Sequence, residues 1–600
     1  MNTKIYKYIA AAAMALSLGS CSDFLDKEPS NELTGTEVFS DWALMEEFHF
    51  DTYNFLRHGA LRINSSWLDA ATDLAETSYG TGGVRTTFNI GNYYGSGGAA
   101  ELTDTWEHYY RGIRKCNMTI SRIESVPQPI DISEDLYKSR MGNYVAEARF
   151  LRAWFYWELF LRYGPVPIVT EVLDPDGDLL TGYTTRPTIK EYVTDFILPE
   201  LEACEKGEEK TFTNEDGETD TYTIQLLSYD DASGNTYAGR ISQPMAGALI
   251  SRIKLYMASP RFSAESNVTW AQAAQAAQDF INNYGDKYQL VTATNGGVAA
   301  YNNAWMLTPY LDGNTETIFF RNDAAIGWSS ISADTPVGEG GSGGCCPSQN
   351  LIDMYDMADG SAPFTQYDAT GAPVYTNGKP TINSESGYTD EKMWQDRDPR
   401  LAATVLYHGV AWGNGTINVI YGQRDNPVGN ANSTPTGYYL RKWIPETILS
   451  NEHAGTARRL WKFIGYNEIL LNAAEALIEM GTDSAYNEAC IKLDQIRQRA
   501  GITGSVSERT DLNSLSTRRA FIHKERTIEL AFEEHRWWDV KRWNVAVEAL
   551  ARPIYGIDVA SNGTITRKVA QERVFTEKMY LYPIPETEVW KTNIENNSGW

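Results

Sequence analysis

Along much of this 600-residue chain, apolar residues recur at the three-and-four spacing of an amphipathic helix. Between Ser133 and Tyr163, Val145, Ala148, Leu151, Ala153, Phe155, Leu159 and Phe160 form a broad stripe. Gly164-Pro165 stops it, as a C-terminal glycine followed by proline should. The same spacing predicts helices over Thr188–Glu205, Pro244–Ser259 and Trp270–Tyr284, the last closed by Gly285. Further on it predicts Trp461–Met480, Ser484–Ala500 (closed by Gly501) and one long helix over Ser516–Trp543. Repeating helix pairs of this length suggest stacked hairpins of tetratricopeptide type. From Asp286 to about Ser450 the pattern changes. Gly, Asn, Thr and Tyr dominate, and runs such as Thr317–Arg321 and Thr416–Tyr421 read as short strands. Loop-rich insertions on a helical frame are where binding surfaces usually sit.

The expected architecture is mostly α: a helical core with tetratricopeptide-like hairpins plus an irregular region with short strands. Residues 21–600 are expected to form one unit. Its N-terminal helical part is 21–285, its loop-rich insertion 286–450, and its C-terminal helical part, 451–600, packs on the first.

Residues 1–20 stand apart. Lys4 and Lys7 precede an apolar run, Ile9–Leu18, which falls short of the about 20 residues a membrane-spanning helix needs, so it reads as an export signal. Gly19-Ser20-Cys21 resembles a bacterial lipobox, which implies cleavage before Cys21 and lipid on its thiol. No second apolar run of spanning length follows.

Charge narrows the partners. The formal net charge is −26, or −28 once Lys4 and Lys7 leave with the signal. Such a surface repels phosphate backbones and argues against nucleic acid as partner. Aromatics are 12% of the chain, with 17 Trp and 35 Tyr, whose flat apolar faces and polar edges suit sugar rings as well as a helical core. Of six Cys, five remain if Cys21 carries lipid, so at least one is a free thiol. Cys345 and Cys346 are adjacent, with Cα atoms about 3.8 Å apart. That is closer than an unstrained disulfide prefers; two unlinked thiols are expected, with a strained vicinal bridge as the alternative.

Motifs that suggest catalysis lack their context. Gly340-Gly341-Ser342-Gly343-Gly344 satisfies G-x-S-x-G, but Val337-Gly338-Glu339 before it and Cys345-Cys346-Pro347 after it are not the strand and helix that a nucleophile turn requires. Asp174-Pro175-Asp176-Gly177-Asp178 opens like a calcium loop, yet Thr185 stands where the twelfth-position carboxylate belongs. Glu525, Glu529 and Glu533 fall at i, i+4 and i+8 near Arg526 and Arg536, a pattern typical of an ion-pair lattice. Seven scattered His and no HExxH give no zinc site. No catalytic residue, metal or cofactor is expected.

Several segments in order resemble the SusD/RagB family of Bacteroidetes nutrient-uptake lipoproteins. They are Cys21-Ser-Asp-Phe-Leu-Asp-Lys-Glu-Pro29, Glu147-Ala-Arg-Phe-Leu-Arg-Ala-Trp-Phe-Tyr-Trp-Glu-Leu159 with Tyr163-Gly-Pro-Val-Pro167, and Pro347-Ser-Gln-Asn-Leu-Ile-Asp-Met-Tyr355. Asp396-Arg-Asp-Pro-Arg-Leu401, Tyr466–Glu475, Ile496–Gly501, Glu525–Asp539 with Arg542-Trp543, and Tyr582-Pro-Ile-Pro-Glu586 continue the set. The resemblance implies a surface lipoprotein of the outer membrane. It would capture an oligosaccharide and deliver it to a SusC-like TonB-dependent transporter. A RagB-like peptide binder is the alternative, and a surface hydrolase is the third reading. In the resembled family, segments at Asp73–Gly98 and Tyr301–Ser330 contribute to the ligand face. The expected ligand-binding residues are therefore Asp73, Arg85, Tyr93 and Tyr94 in the first, and Trp305, Asn322 and Trp328 in the second. Trp328 and Tyr93 would be the stacking platforms.

The N-terminal reading has a direct test. Cys21→Ala should release the protein from membranes or leave it unprocessed. Fractionation that finds the variant membrane-attached with the mature N-terminus would reject lipidation there.

Overall fold

The computed structural model describes residues 35–600, except 61–62, 64–65, 82, 97–98, 175–176, 178–182, 215–216, 235, 294–296 and 311. The export signal, Cys21 and most of the calcium-like loop at 174–178 lie outside the described residues.

Ten helices carry the frame: α1 (Trp42–Asp51), α2 (Ala100–Arg122), α3 (Glu134–Tyr163), α4 (Leu198–Lys206), α5 (Gln243–Ala258), α6 (Trp270–Tyr284), α7 (Tyr466–Glu479), α8 (Asp483–Ala500), α9 (Leu515–Glu529) and α10 (His535–Arg542). Helix α3 is the central strut. Ser133 caps its start by accepting the Leu136 N–H, and Gly164, at φ 72°, ends it. From Tyr144 to Tyr163 nearly every side of it is buried, which demands that its polar residues find partners. They do. Glu147 takes His49 and Arg240, Arg152 takes Glu200, and Arg162 takes Glu101 and Glu158. Helix α2 packs along α3, α5 along α6, and α6 along α7. Helix α7 in turn carries α8 and α9. The contact of α6 with α7 joins the early helices to the late ones.

Four strands shape the region around the loops: β1 (Ala75–Thr77), β2 (Thr317–Ile326), β3 (Cys345–Pro347) and β4 (Ala457–Gly465). β2 and β4 form an antiparallel ribbon with Leu460 opposite Asn322 and Trp461 opposite Arg321. This corrects the helix expected over Trp461–Met480. Leu460-Trp-Lys-Phe-Ile464 is rich in strand-favouring aromatic and branched residues, and pairing with β2 claims it. The helix starts only at Tyr466. Of the strand expected over Thr416–Tyr421, only Thr416 is strand, as the second residue of a short Gly415–Thr416 pair.

The long helix expected over Ser516–Trp543 is two. It breaks after Glu529, and Phe532 and Glu534 adopt left-handed φ of 60° and 64°. The break exists because its freed amides have a buried acceptor: Asp69 takes the N–H of Phe532 at 3.1 Å and of Glu534 at 3.3 Å. Burial pushes the Asp69 carboxyl up to about 7, helped by the nearby Glu534 charge.

Past the break, the expected lattice of charges is present and buried. Glu475 of α7 receives both terminal nitrogens of Arg542 at 2.5 and 2.6 Å and the Trp543 indole N–H at 2.8 Å. It also pairs with Arg526 at 3.1 Å. Glu525 pairs with Arg400 and Arg497, and Glu529 with Arg400 and Arg499. Burial alone would raise the Glu529 carboxyl; the guanidinium groups of Arg499 and Arg400 overcome it and hold it down to about 2. Glu533 belongs to the same lattice, through Lys442 and Lys462, although it lies beyond the helix end. The Glu533-Glu534-His535 run lines a cavity of about 40 Å³, too small for a sugar ring. All five described Cys are buried free thiols, Cys345 and Cys346 included.

Two stability tests follow from this packing. Trp537 and Trp538 are both buried in α10, so Trp538→Ala should cost about 3–5 kcal/mol in denaturant unfolding. An unchanged midpoint would show that the ring is not core.

The second test concerns pH. Burial drives His523 down to about 3 and His535 down to about 4. Unfolded imidazoles protonate near 6.5, so acidification below that value loads protons onto the unfolded chain first. These two residues therefore add nothing above about pH 6.5 and destabilise the fold progressively as pH falls towards 4. His523→Phe should flatten the loss between pH 7 and pH 5 relative to wild type. Parallel pH profiles for the two proteins would contradict this.

Candidate functional site

The loop face is assembled on the pairing of β1 with β3, which sets Glu76 opposite Cys346 and Thr77 opposite Cys345. Beyond β1, Ser78 donates its hydroxyl to Ser342 O at 2.7 Å and its N–H to Gly344 O at 2.8 Å. The Tyr79 hydroxyl donates to Ala333 O at 3.0 Å. Segment 328–344 is thus tied to segment 78–85. Its interior anchor is Asp334, which accepts the Trp67 indole N–H at 2.8 Å and the Cys345 N–H at 3.0 Å. Burial lifts that carboxyl to about 6. Gly343 has φ 73°, and a Cβ there would lie 2.4 Å from Asn432 O, so only glycine fits. The glycine run is a brace between loops and has no nucleophile turn.

A second buried acid holds the next loop. Glu339 accepts the Asn414 N–H and its side-chain amide at 2.8 Å each, and pairs with Arg424. Arg424 belongs to the loop that presents Tyr421, 69% exposed. Near its end β2 has a left-handed residue, Ala325, and Gly327 leads into a single helical turn, Trp328–Ile331. The half-buried Trp328 indole lies flat on His453, with ring centroids 3.7 Å apart and planes 12° from parallel. His453 comes from a turn in which Asn451, Glu452 and His453 have φ of 49°, 56° and 70°. A left-handed conformation costs a non-glycine residue of order 1 kcal/mol.

The structure divides the expected ligand residues. Asp73 is buried and receives Arg536 at 2.9 and 2.7 Å. Burial raises its carboxyl, and the Arg536 charge more than reverses that, leaving it below the usual range. Tyr93 is buried, parallel to Trp600 at 6.0 Å and edge-on to Phe88 at 5.1 Å. Trp305 is buried against Trp443 at 5.4 Å. These three side chains are buried, and Trp305 also lines a cavity of about 180 Å³ with Met306 and Ile444. For Asn322, the backbone sits in β2 and the side chain lies outside the described residues. Tyr94 is 42% exposed, but next to it Gly95 packs on Ile584 and Glu586 of the C-terminal segment. Arg85 is part-exposed, with its Nε 3.3 Å from Glu76. Of the expected residues whose side chains are described, Trp328 and Arg85 lie beside the tied loops, where the structure adds Tyr79, Tyr421 and His453. Tyr79 lay inside the expected segment but was indistinguishable from its neighbours. Nothing local in Asn451-Glu452-His453 announces a ring partner far away in sequence.

Sequence comparison matches residues 311–600 to the SusD family and residues 23–205 to a family described as starch-binding associating with outer membrane. A SusD-like protein of Formosa agariphila is 21% identical over 565 residues, covering 91% of each chain. Among solved structures, a SusD-like protein from Bacteroides fragilis is 25% identical with a TM-score of 0.72, over 94% of this chain and 98% of that one. A SusD-like carbohydrate binding protein from the same organism is 20% identical with a TM-score of 0.69, over 93% and 99%. A laminarin binding SusD-like protein is 19% identical with a TM-score of 0.54, over 94% and 100%. The two matched segments, the helical frame and the order of motifs along the chain agree: this chain belongs to the SusD/RagB family.

Proposed function

We propose that this protein is a cell-surface glycan-binding lipoprotein. It captures an oligosaccharide on the face built by segments 78–85, 328–344, 420–433 and 451–455, and delivers it to a SusC-like TonB-dependent transporter in the outer membrane. The observation that carries the reading is the Trp328 indole. It is an accessible flat ring on a loop face whose interior is braced by buried acids. A neutral sugar gains affinity from ring stacking and from planar hydrogen-bonding groups; Tyr79, Arg85 and Tyr421 supply further rings and donors nearby. Carbohydrate and laminarin binding by proteins of this fold supports the ligand class. The carboxylates and imidazoles suggestive of acid–base work are buried in ion pairs or packing, which favours binding over hydrolysis. Lipid on Cys21 would hold the protein at the outer membrane.

Calorimetry against a panel of laminari- and malto-oligosaccharides tests the placement. Trp328→Ala should weaken binding by about ten-fold or more, with the melting temperature unchanged. Tyr93→Ala should instead lower the melting temperature. Wild-type affinity in Trp328→Ala for a ligand that the parent protein binds would move the site elsewhere.

A further inference from the structure

We infer that His453 is a positioning residue for the ligand face: its imidazole fixes the orientation of the Trp328 indole and closes one side of it, leaving a single flat face of set direction. The inference rests on the glycan-binding reading above and specifies how that face is held.

Part of the Trp328 side chain packs on the hydrophobic core, and the rest is held by few polar contacts. It opens a four-residue helical turn with no side-chain cap, directly after Gly327. Among the described residues, no acceptor takes its indole N–H. Free rotation about its side-chain bonds would leave a ring that must be ordered by each ligand it meets, and that ordering weakens binding. The aromatic ring stacked on it is the parallel imidazole of His453 at 3.7 Å, a contact that sets the plane of the part reaching beyond the core. Both rings are half-buried, with Trp328 at the rim of the hydrophobic core.

The backbone under His453 supports the same conclusion. Asn451, Glu452 and His453 are three successive left-handed residues, and none is glycine. Strain of this kind persists where the surrounding structure over-determines it, and it gathers at sites that need a side chain held in place. Its effect here is to bring an imidazole face against an indole far away in sequence. Gly340, at φ 85°, closes one edge of the pair: a Cβ there would stand 3.6 Å from His453 Cε1 and 4.0 Å from Trp328 Cζ2. With one face on His453 and one edge on Gly340, the opposite face of the indole is the one offered outward.

The test begins without any glycan. The protein is labelled with 5-fluorotryptophan, and Trp328→Phe identifies the Trp328 resonance among the 17 tryptophans. His453→Asn removes the ring while keeping a residue that tolerates left-handed φ, and His453→Tyr keeps a ring. In wild type the Trp328 fluorine signal should be single and sharp. In His453→Asn it should broaden or multiply, and in His453→Tyr it should sharpen again. With an oligosaccharide that the wild type binds, His453→Asn should weaken affinity by about ten-fold and His453→Tyr much less, both at near-wild-type melting temperature. A Trp328 signal unchanged in His453→Asn overturns the inference, as does a His453→Tyr variant that behaves like His453→Asn in the fluorine spectrum. If the fluorine signals behave as expected but Trp328→Ala binds glycan normally, the indole is positioned as inferred and the placement of the glycan face is what fails.

Discussion

A guanidinium taken out of water must be met by a carboxylate in good geometry, because a buried charge left alone costs several kcal/mol. That constraint sets the C-terminal half of this molecule. Glu475 of α7 can satisfy both Arg526 and Arg542 only if α9 ends and the chain turns before α10. Glu525 reaches Arg400 from the loop-rich region and Arg497 from α8, so one carboxylate fastens three parts of the chain. Asp73 meets Arg536 in the same way and fixes the approach to β1. Apolar burial supplies the bulk of the stability here as elsewhere. The charge lattice determines which of many compact packings of these helices is allowed.

The loop face inherits its rigidity from that frame. Asp69 caps the turn between α9 and α10, and a few residues later the chain enters β1, whose partner β3 carries the glycine run. Asp334 and Glu339 then tie the inner sides of the loops to indole, amide and guanidinium donors. Loops held from within can present side chains outward in fixed places, and preorganisation of that kind lowers the ordering cost of binding.

How far the sequence could be read depends on whether the deciding partner was local. The ends of α3 and α6 were legible because Ser133, Gly164 and Gly285 act within a turn of themselves. The helix expected from Trp461 failed because a strand some 140 residues earlier claims those residues, and the helix expected through Trp543 failed because Asp69 rewards a break. Tyr93 in a glycine-rich loop has the composition of an exposed platform; its stacking on Trp600 is invisible locally. Asp73 likewise reads as a loop acid until Arg536 arrives. Trp328 stands half-buried just after β2, where its position in the sequence put it, while its companion His453 carried no signal at all. The charge periodicity of Glu525, Glu529 and Glu533 gave the lattice correctly, although the helix that suggested it stops at Glu529.

The separations inside the lattice bear on how the chain acquires its structure. Asp73 and Arg536 are 463 residues apart, and Glu76 waits for Arg573, 497 residues on. A nascent polypeptide that has produced every helix up to α8 can form the pairs around α3 but still lacks Arg536 and Arg573, which complete the sites of Asp73 and Glu76. Contacts of such sequence distance are entropically expensive and form slowly. Completion of the fold is therefore coupled to the emergence of the last stretch of chain, and a product truncated before α10 would leave Asp73 without Arg536 and Glu76 without Arg573.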